Sequence, residues 1–341
     1  MKLLTQFSRT ALVCLLLADS AAVSAAVVTL TPSKDATIFG TSINQGLPNS
    51  SGQDLFNHSN GAGPGMFAGG NGQFAPHRGL IAFDIASQIP AGSVITGVQL
   101  TMYIGIVAGS GGAAGLGDQT PRTMDLFRLT RDWGEGITGG NATQIGGTGQ
   151  GFPANPGDAT WNDAAYRQTP WTTPGGDYVS QASATLAVGS VFGSAQTWTT
   201  TPTFVQDVQA WLDDPSSNFG WILINRDEDL KQTHRAFYTS EWTDPALRPQ
   251  LQVSYQPAPV PVPAAVWLFG TGITGLLGLT RRKAYGAGKP SAFIFLIVQL
   301  KKETNHEKAD SFNVDGGNAG VGPRRLGGDI NRGYRHVYRC Q

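Results

Sequence analysis

Val94-Ile95-Thr96-Gly97-Val98-Gln99-Leu100-Thr101-Met102-Tyr103-Ile104 is the stretch that decides the fold class. From Val98 onward, Val98, Leu100, Met102 and Ile104 take every second place, with Gln99, Thr101 and Tyr103 between them. Successive side chains of a strand point to opposite faces, so this alternation specifies a strand with one face in a core. The turn Pro90-Ala91-Gly92 precedes it, and Leu80 to Ile85 (LIAFDI) forms another short apolar run ahead of that turn.

Working outward, the same short-strand pattern recurs. Val27 to Thr31, Ala36 to Phe39, Met124 to Leu129, Gly220 to Asn225, Arg235 to Glu241 and Gln250 to Tyr255 all read as strands. In the last, Leu251, Val253 and Tyr255 share one face. Long Gly/Asn/Ser-rich loops are expected at 40–78, 105–121 and 134–158. One segment reads as a helix. Thr201-Pro202 supplies an N-cap and a proline at the first helical position; Phe204, Val205, Val208, Trp211 and Leu212 form an apolar stripe; Asp213-Asp214-Pro215 ends it. Many short strands with one short helix imply an all-β chain, a jelly-roll-type β-sandwich over residues 27–256.

Composition narrows the function classes. The 341 residues carry 24 Lys and Arg against 24 Asp and Glu, and only 14% are charged. A neutral chain lacks the basic surface that phosphate neutralisation needs, so nucleic acid is not the expected partner. Of the two cysteines, Cys14 lies near the start and Cys340 near the end, so the 27–256 domain has no disulfide and must stand on its hydrophobic core.

The ends of the chain read as addresses. Lys2 and Arg9, the apolar Ala11 to Ala18, and the small residues Val23-Ser24-Ala25-Ala26 have the three regions of a secretory signal peptide, residues 1–26. Beyond the domain, prolines at 257, 259, 261 and 263 favour an extended strut over 257–263. Ala264 to Leu279 is uncharged and mostly apolar, and Arg281-Arg282-Lys283 follows. Residues 264–283 therefore read as one C-terminal transmembrane helix with a basic stop held on the cytoplasmic side. Residues 284–341 read as a disordered tail, either a gene-boundary accident or a cytoplasmic appendage.

Two resemblances follow. Val260-Pro261-Val262-Pro263-Ala264-Ala265, then Trp267, Gly270 and Arg281-Arg282-Lys283, resemble a PEP-CTERM sorting signal. That resemblance implies export through the Sec translocon, an inner-membrane intermediate, recognition by exosortase, and delivery to the cell surface or extracellular matrix. Asp132-Trp133-Gly134-Glu135-Gly136, Asp158-Ala159-Thr160-Trp161-Asn162, Trp171, Asn218-Phe219-Gly220-Trp221 and Arg248-Pro249-Gln250-Leu251 together resemble a DNRLRE domain, with Phe237 to Glu241 as a partial counterpart of the naming motif. This family is similar to carbohydrate-binding β-sandwich modules, which implies fold and location more than activity.

Candidate site residues follow from residue chemistry. Seven of the eight tryptophans lie between Trp133 and Trp242. Sugars stack on aromatic rings, and Trp133, Trp161 and Trp171 sit in polar, loop-like surroundings. They are either stacking platforms for a polysaccharide or rings packed beneath long loops. Asp35, Asp227 and Asp229 are the places to look for a structural calcium, since loops between strands supply hard oxygen ligands; solvated acid pairs are the alternative. His58, His77 and His234 lack the spacing of a metal pair. No nucleophile elbow or phosphate-cradling loop is present. The expectation is a non-catalytic module without cofactor that associates with exopolysaccharide or the cell envelope. The alternatives are a polysaccharide-active hydrolase or lyase using loop carboxylates, and a surface-coat protein without a ligand.

Overall fold

The computed structural model describes residues 24–41 and 55–259. Most of the signal peptide, all of residues 260–283 and the tail lie outside the described residues. The described residues belong to one compact unit.

The chain is all-β and antiparallel, with a single short α-helix among the described residues. The described residues form fifteen strands: β1 (Ala26–Leu30), β2 (Lys34–Phe39), β3 (His58–Ser59), β4 (Gly65–Gly70), β5 (Pro76–Ala82), β6 (Val94–Val107), β7 (Arg122–Leu129), β8 (Phe152–Pro153), β9 (Asp163–Ala165), β10 (Thr169–Pro170), β11 (Tyr178–Val188), β12 (Ala195–Trp198), β13 (Trp221–Asn225), β14 (Arg235–Tyr238) and β15 (Gln250–Gln256). The hydrogen-bonded order is β1-β15-β6-β14-β4-β5-β13-β7-β11, with β12 on β6 and β2 on β5.

The alternation at 94–104 behaves as expected. Val98, Leu100, Met102 and Ile104 of β6 are fully buried, and their register partners Leu251 and Val253 of β15 lie in the same cluster. That cluster also takes Ile81, Met124, Leu126, Trp221 and Leu223 from β5, β7 and β13. The apolar faces of two strand groups therefore meet in one core, consistent with a β-sandwich. The path folds over at β4, whose residues Gly65 to Ala68 pair with β14 while Gly69 and Gly70 pair with β5.

The helix α1 (Pro202–Asp213) forms where the cap and proline place it. Thr201 Oγ1 accepts from the Phe204 amide at 3.0 Å, satisfying one of the free donors of the first turn. Phe204, Val208, Trp211 and Leu212 enter the main core, where the Trp211 and Trp221 rings meet edge to face at 4.4 Å. Asp207 is buried with them and accepts from Ser183 Oγ at 2.5 Å and Trp221 Nε1 at 3.0 Å. Burial raises its pKa, opposed by those hydrogen bonds and by Arg128.

Strand β13 is buried at all five positions. Trp221 and Leu223 face the main core, while Ile222 and Ile224 join a second cluster on the other face with Ala36, Leu80, Trp133, Trp161 and Trp171. Part of the expected loop at 40–78 is strand β4, and β11 and β12 occupy a region where no strand was expected.

Candidate functional site

The three loop tryptophans are not available for stacking. Trp133, Trp161 and Trp171 keep only 3%, 8% and 4% of their surface. Trp133 Nε1 donates to the Phe219 carbonyl at 2.9 Å, and Lys34 Nζ sits 4.5 Å from its ring centroid. Trp171 Nε1 donates to the Thr160 carbonyl at 2.9 Å. The Arg78 guanidinium lies 4.8 Å over Trp161. The correction has a physical cause: the polar loops around these rings fold back on the outer face of the β2–β5–β13 strands, so the rings become the core under the loops.

The calcium candidates do not assemble a site. Asp227 is occupied by Arg122 Nη1 at 2.8 Å, and Asp229 lies near the Arg78–Glu228 pair. Asp35 is fully buried; Oδ2 accepts from the Ser240 amide at 2.9 Å, while Oδ1 has no partner. Burial, then Glu241 and Glu135, push its carboxyl well above the ordinary carboxylate range. Among the described residues, no three His, Cys, Asp or Glu side chains form a group able to hold a metal ion.

A concavity lies elsewhere, on the face of β4, β14 and β6 that points away from the main core. Phe67, Ala236 and Ile106 are register partners across those three strands. Tyr238, two residues along β14 from Ala236, shares their face by alternation. Its opposite-face neighbour Phe237 enters the main core. Ile145, from the 3-10 turn Ile145–Thr148, packs on Phe67 and Ala236, with Ile106, Tyr238 and Trp242 beside it. Small residues make room for it: a Cβ on Gly105 would come within 2.1 Å of Ile145 Cδ1.

Over this floor the groove encloses about 750 Å³, within the range of small-ligand sites. The Tyr238 and Trp242 rings lie 4.6 Å apart, tilted by 36°. Trp242 is held by its amide's bond to the Thr239 carbonyl and by Arg248 Nε on its own carbonyl at 2.7 Å. Trp242 Nε1 is buried without a partner. Gln73, Gln144 and Gln150 are among its lining residues, and no Asp, Glu, Lys or Arg lines it.

His234 forms part of the wall, with its ring 5.8 Å from that of Phe67 and 6.2 Å from that of His77. The two histidines that sequence spacing left isolated are thus neighbours. Burial lowers the His234 pKa to about 4, opposed by the Gly70 carbonyl. Burial, helped by His234, lowers that of His77 to about 3. Both are neutral at pH 7.

Sequence reasoning missed this groove, since it read 235–241 as a plain strand. The one available signal was Tyr238 and Trp242 flanking a turn of Thr and Ser. Among the described residues, no helix is long and apolar enough to cross a membrane; the segment 264–283 lies outside them. Compared with family models and with curated proteins, the sequence matches none.

Proposed function

We propose that this chain is an exported, non-catalytic carbohydrate-binding protein. A jelly-roll-type β-sandwich, delivered by the signal peptide 1–26, associates with exopolysaccharide at the cell surface or in the matrix. Its sorting by exosortase rests on Val260 to Lys283, a segment outside the described residues.

The observation that carries the binding function is the groove lined by the paired Tyr238 and Trp242 rings and by three glutamines. Aromatic faces stack against the C–H faces of sugar rings, while amides and backbone groups orient the hydroxyls. A glycosidase of the common kind places two carboxylates either side of the scissile bond. No carboxylate lines this groove, which favours holding a sugar over cleaving it.

The test is affinity electrophoresis of the full chain against a panel of soluble polysaccharides. Retardation by at least one polysaccharide should be lost in Tyr238→Ala and weakened in Gln144→Ala, a change on the exposed loop that leaves the core intact. Release of reducing ends would establish the enzyme instead. Mass spectrometry of the mature C-terminus tests the sorting step, and a full-length product recovered in the cytosol would refute it.

A further inference from the structure

We propose that the groove takes an uncharged polysaccharide and holds it along the chain, with further subsites running beside the 144–153 segment from Trp242 to Phe152 and Ile137. This rests on the carbohydrate-binding function proposed above and specifies its ligand.

The first observation is that the groove does not end at its own rim. A second concavity, of about 500 Å³, shares Gly146, Gly149 and Gln150 with it. A third, also about 500 Å³, shares Phe152 and Pro153 with the second. The three therefore adjoin one another through residues 146–153 of one stretch of chain. A site for a single terminal sugar needs one closed cavity; a row of open ones suits a polymer that enters and leaves at both ends.

The second observation is the chemistry of the walls. None of the three concavities is lined by Asp, Glu, Lys or Arg. The titratable lining groups are His234 and Tyr238 in the first and His58 in the second. His234 is neutral at pH 7, because burial holds its pKa near 4. A different hollow shows the opposite case: the one beside Thr172 carries Arg131 and Asp177, paired at 2.9 Å. A uronate or sulfated chain entering this row would lose water around each anion and find no Lys or Arg in exchange. Hydroxyl groups meet what the walls do offer, amides and the backbone of a glycine-rich rim.

The third observation is where apolar surface is left open. Phe152 keeps 36% of its surface and Ile137 keeps 76%, both on the third concavity. Aromatic or apolar surface thus lines each of the three, Tyr238 with Trp242 in the first, Phe152 where the second meets the third, and Ile137 in the third, as stacking of successive sugar rings requires.

The experiment uses the full chain and calorimetric titration with oligosaccharides of two to six units. The neutral probes are β-glucan, mannan and α-glucan fragments; the acidic probes are polygalacturonate and alginate fragments. For a neutral series, affinity should rise at least tenfold from disaccharide to hexasaccharide and should not change between 50 and 500 mM salt. Phe152→Ala, and independently Ile137→Ser, should bring the hexasaccharide's affinity down toward that of the disaccharide. Val191→Ser, an exposed site away from the row, should match the parent chain. Binding of acidic probes alone, or equal affinity for two and six neutral units, overturns this inference and leaves carbohydrate binding standing. Failure of every oligosaccharide overturns both. Binding of unfolded or peptide ligands in place of sugars does the same.

Discussion

His77 is the residue whose replacement says most about this fold. It sits on β5 at the start of the β4–β5 pairing, fully buried, with neither ring nitrogen hydrogen-bonded. Its ring meets Phe39 edge-on at 4.8 Å and Phe67 at 6.1 Å. A phenyl ring suits those neighbours better than an imidazole. In His77→Phe, the unmet polar atoms disappear, a gain of about 1–3 kcal/mol, offset in part by the tighter fit of a slightly larger ring. At pH 7.5 the variant should therefore match or modestly exceed the parent.

The larger effect is in acid. An unfolded histidine takes its proton near pH 6.5, whereas folded His77 does so only near pH 3. Above pH 6.5 neither state holds that proton, and the full stability is present. Below it the unfolded chain binds one proton more, and stability falls by about 1.4 kcal/mol per pH unit until the folded pKa is reached. Between pH 7.5 and 4.5 His77 alone should thus remove about 2.5 kcal/mol. His234 and the carboxylates stay in both proteins and largely cancel in the comparison. Urea unfolding followed by tryptophan fluorescence at pH 7.5, 6.5, 5.5 and 4.5 measures the difference. The gap between variant and parent should widen steadily as pH drops. Two parallel stability curves would refute the burial of a neutral, unpartnered imidazole at this position.

Three further outcomes are expected. Thr201→Ala removes the cap of α1 and should cost about 1 kcal/mol in urea unfolding. Arg235→Leu should cost about 3–5 kcal/mol, because the guanidinium is fully buried and serves Asp118, Gly189 O and Thr120 O at 3.0, 2.7 and 2.6 Å; a loss under 1 kcal/mol in the same assay would show those groups find other partners. Asp35→Asn keeps an acceptor for the Ser240 amide and removes a carboxyl whose pKa is raised by burial. A raised carboxyl pKa weakens the fold as pH climbs above the unfolded value near 4, so the variant should gain thermal stability at pH 8 and lose that gain toward pH 4.

The legible parts of this protein are those whose cause is local. The strand at 94–104 was readable because a strand turns alternate side chains to one face, and that face needed only apolar residues. The helix was readable from Thr201, Pro202 and a stripe of the right spacing. The tryptophans show the boundary of such reasoning. Polar neighbours made Trp133, Trp161 and Trp171 look like loop-borne platforms, yet polarity in sequence does not say whether a loop stands away from a sheet or lies back on it.

By itself the sequence determined an all-β chain with one capped helix, a core free of disulfides, and the residue patterns that resemble export and sorting signals. Periodicity, capping and composition are properties of neighbouring residues, so they need no fold to be read. The tertiary structure alone decided which aromatic rings face a groove, which carboxylates are buried, and that His77 and His234 touch. Phe67, Ile106, Ile145, Tyr238 and Trp242 come from four separate segments, and only the pairing of β4, β14 and β6 brings them to one face. That pairing is set by the total burial of both sheet faces, a sum over the whole chain that no single stretch of it contains.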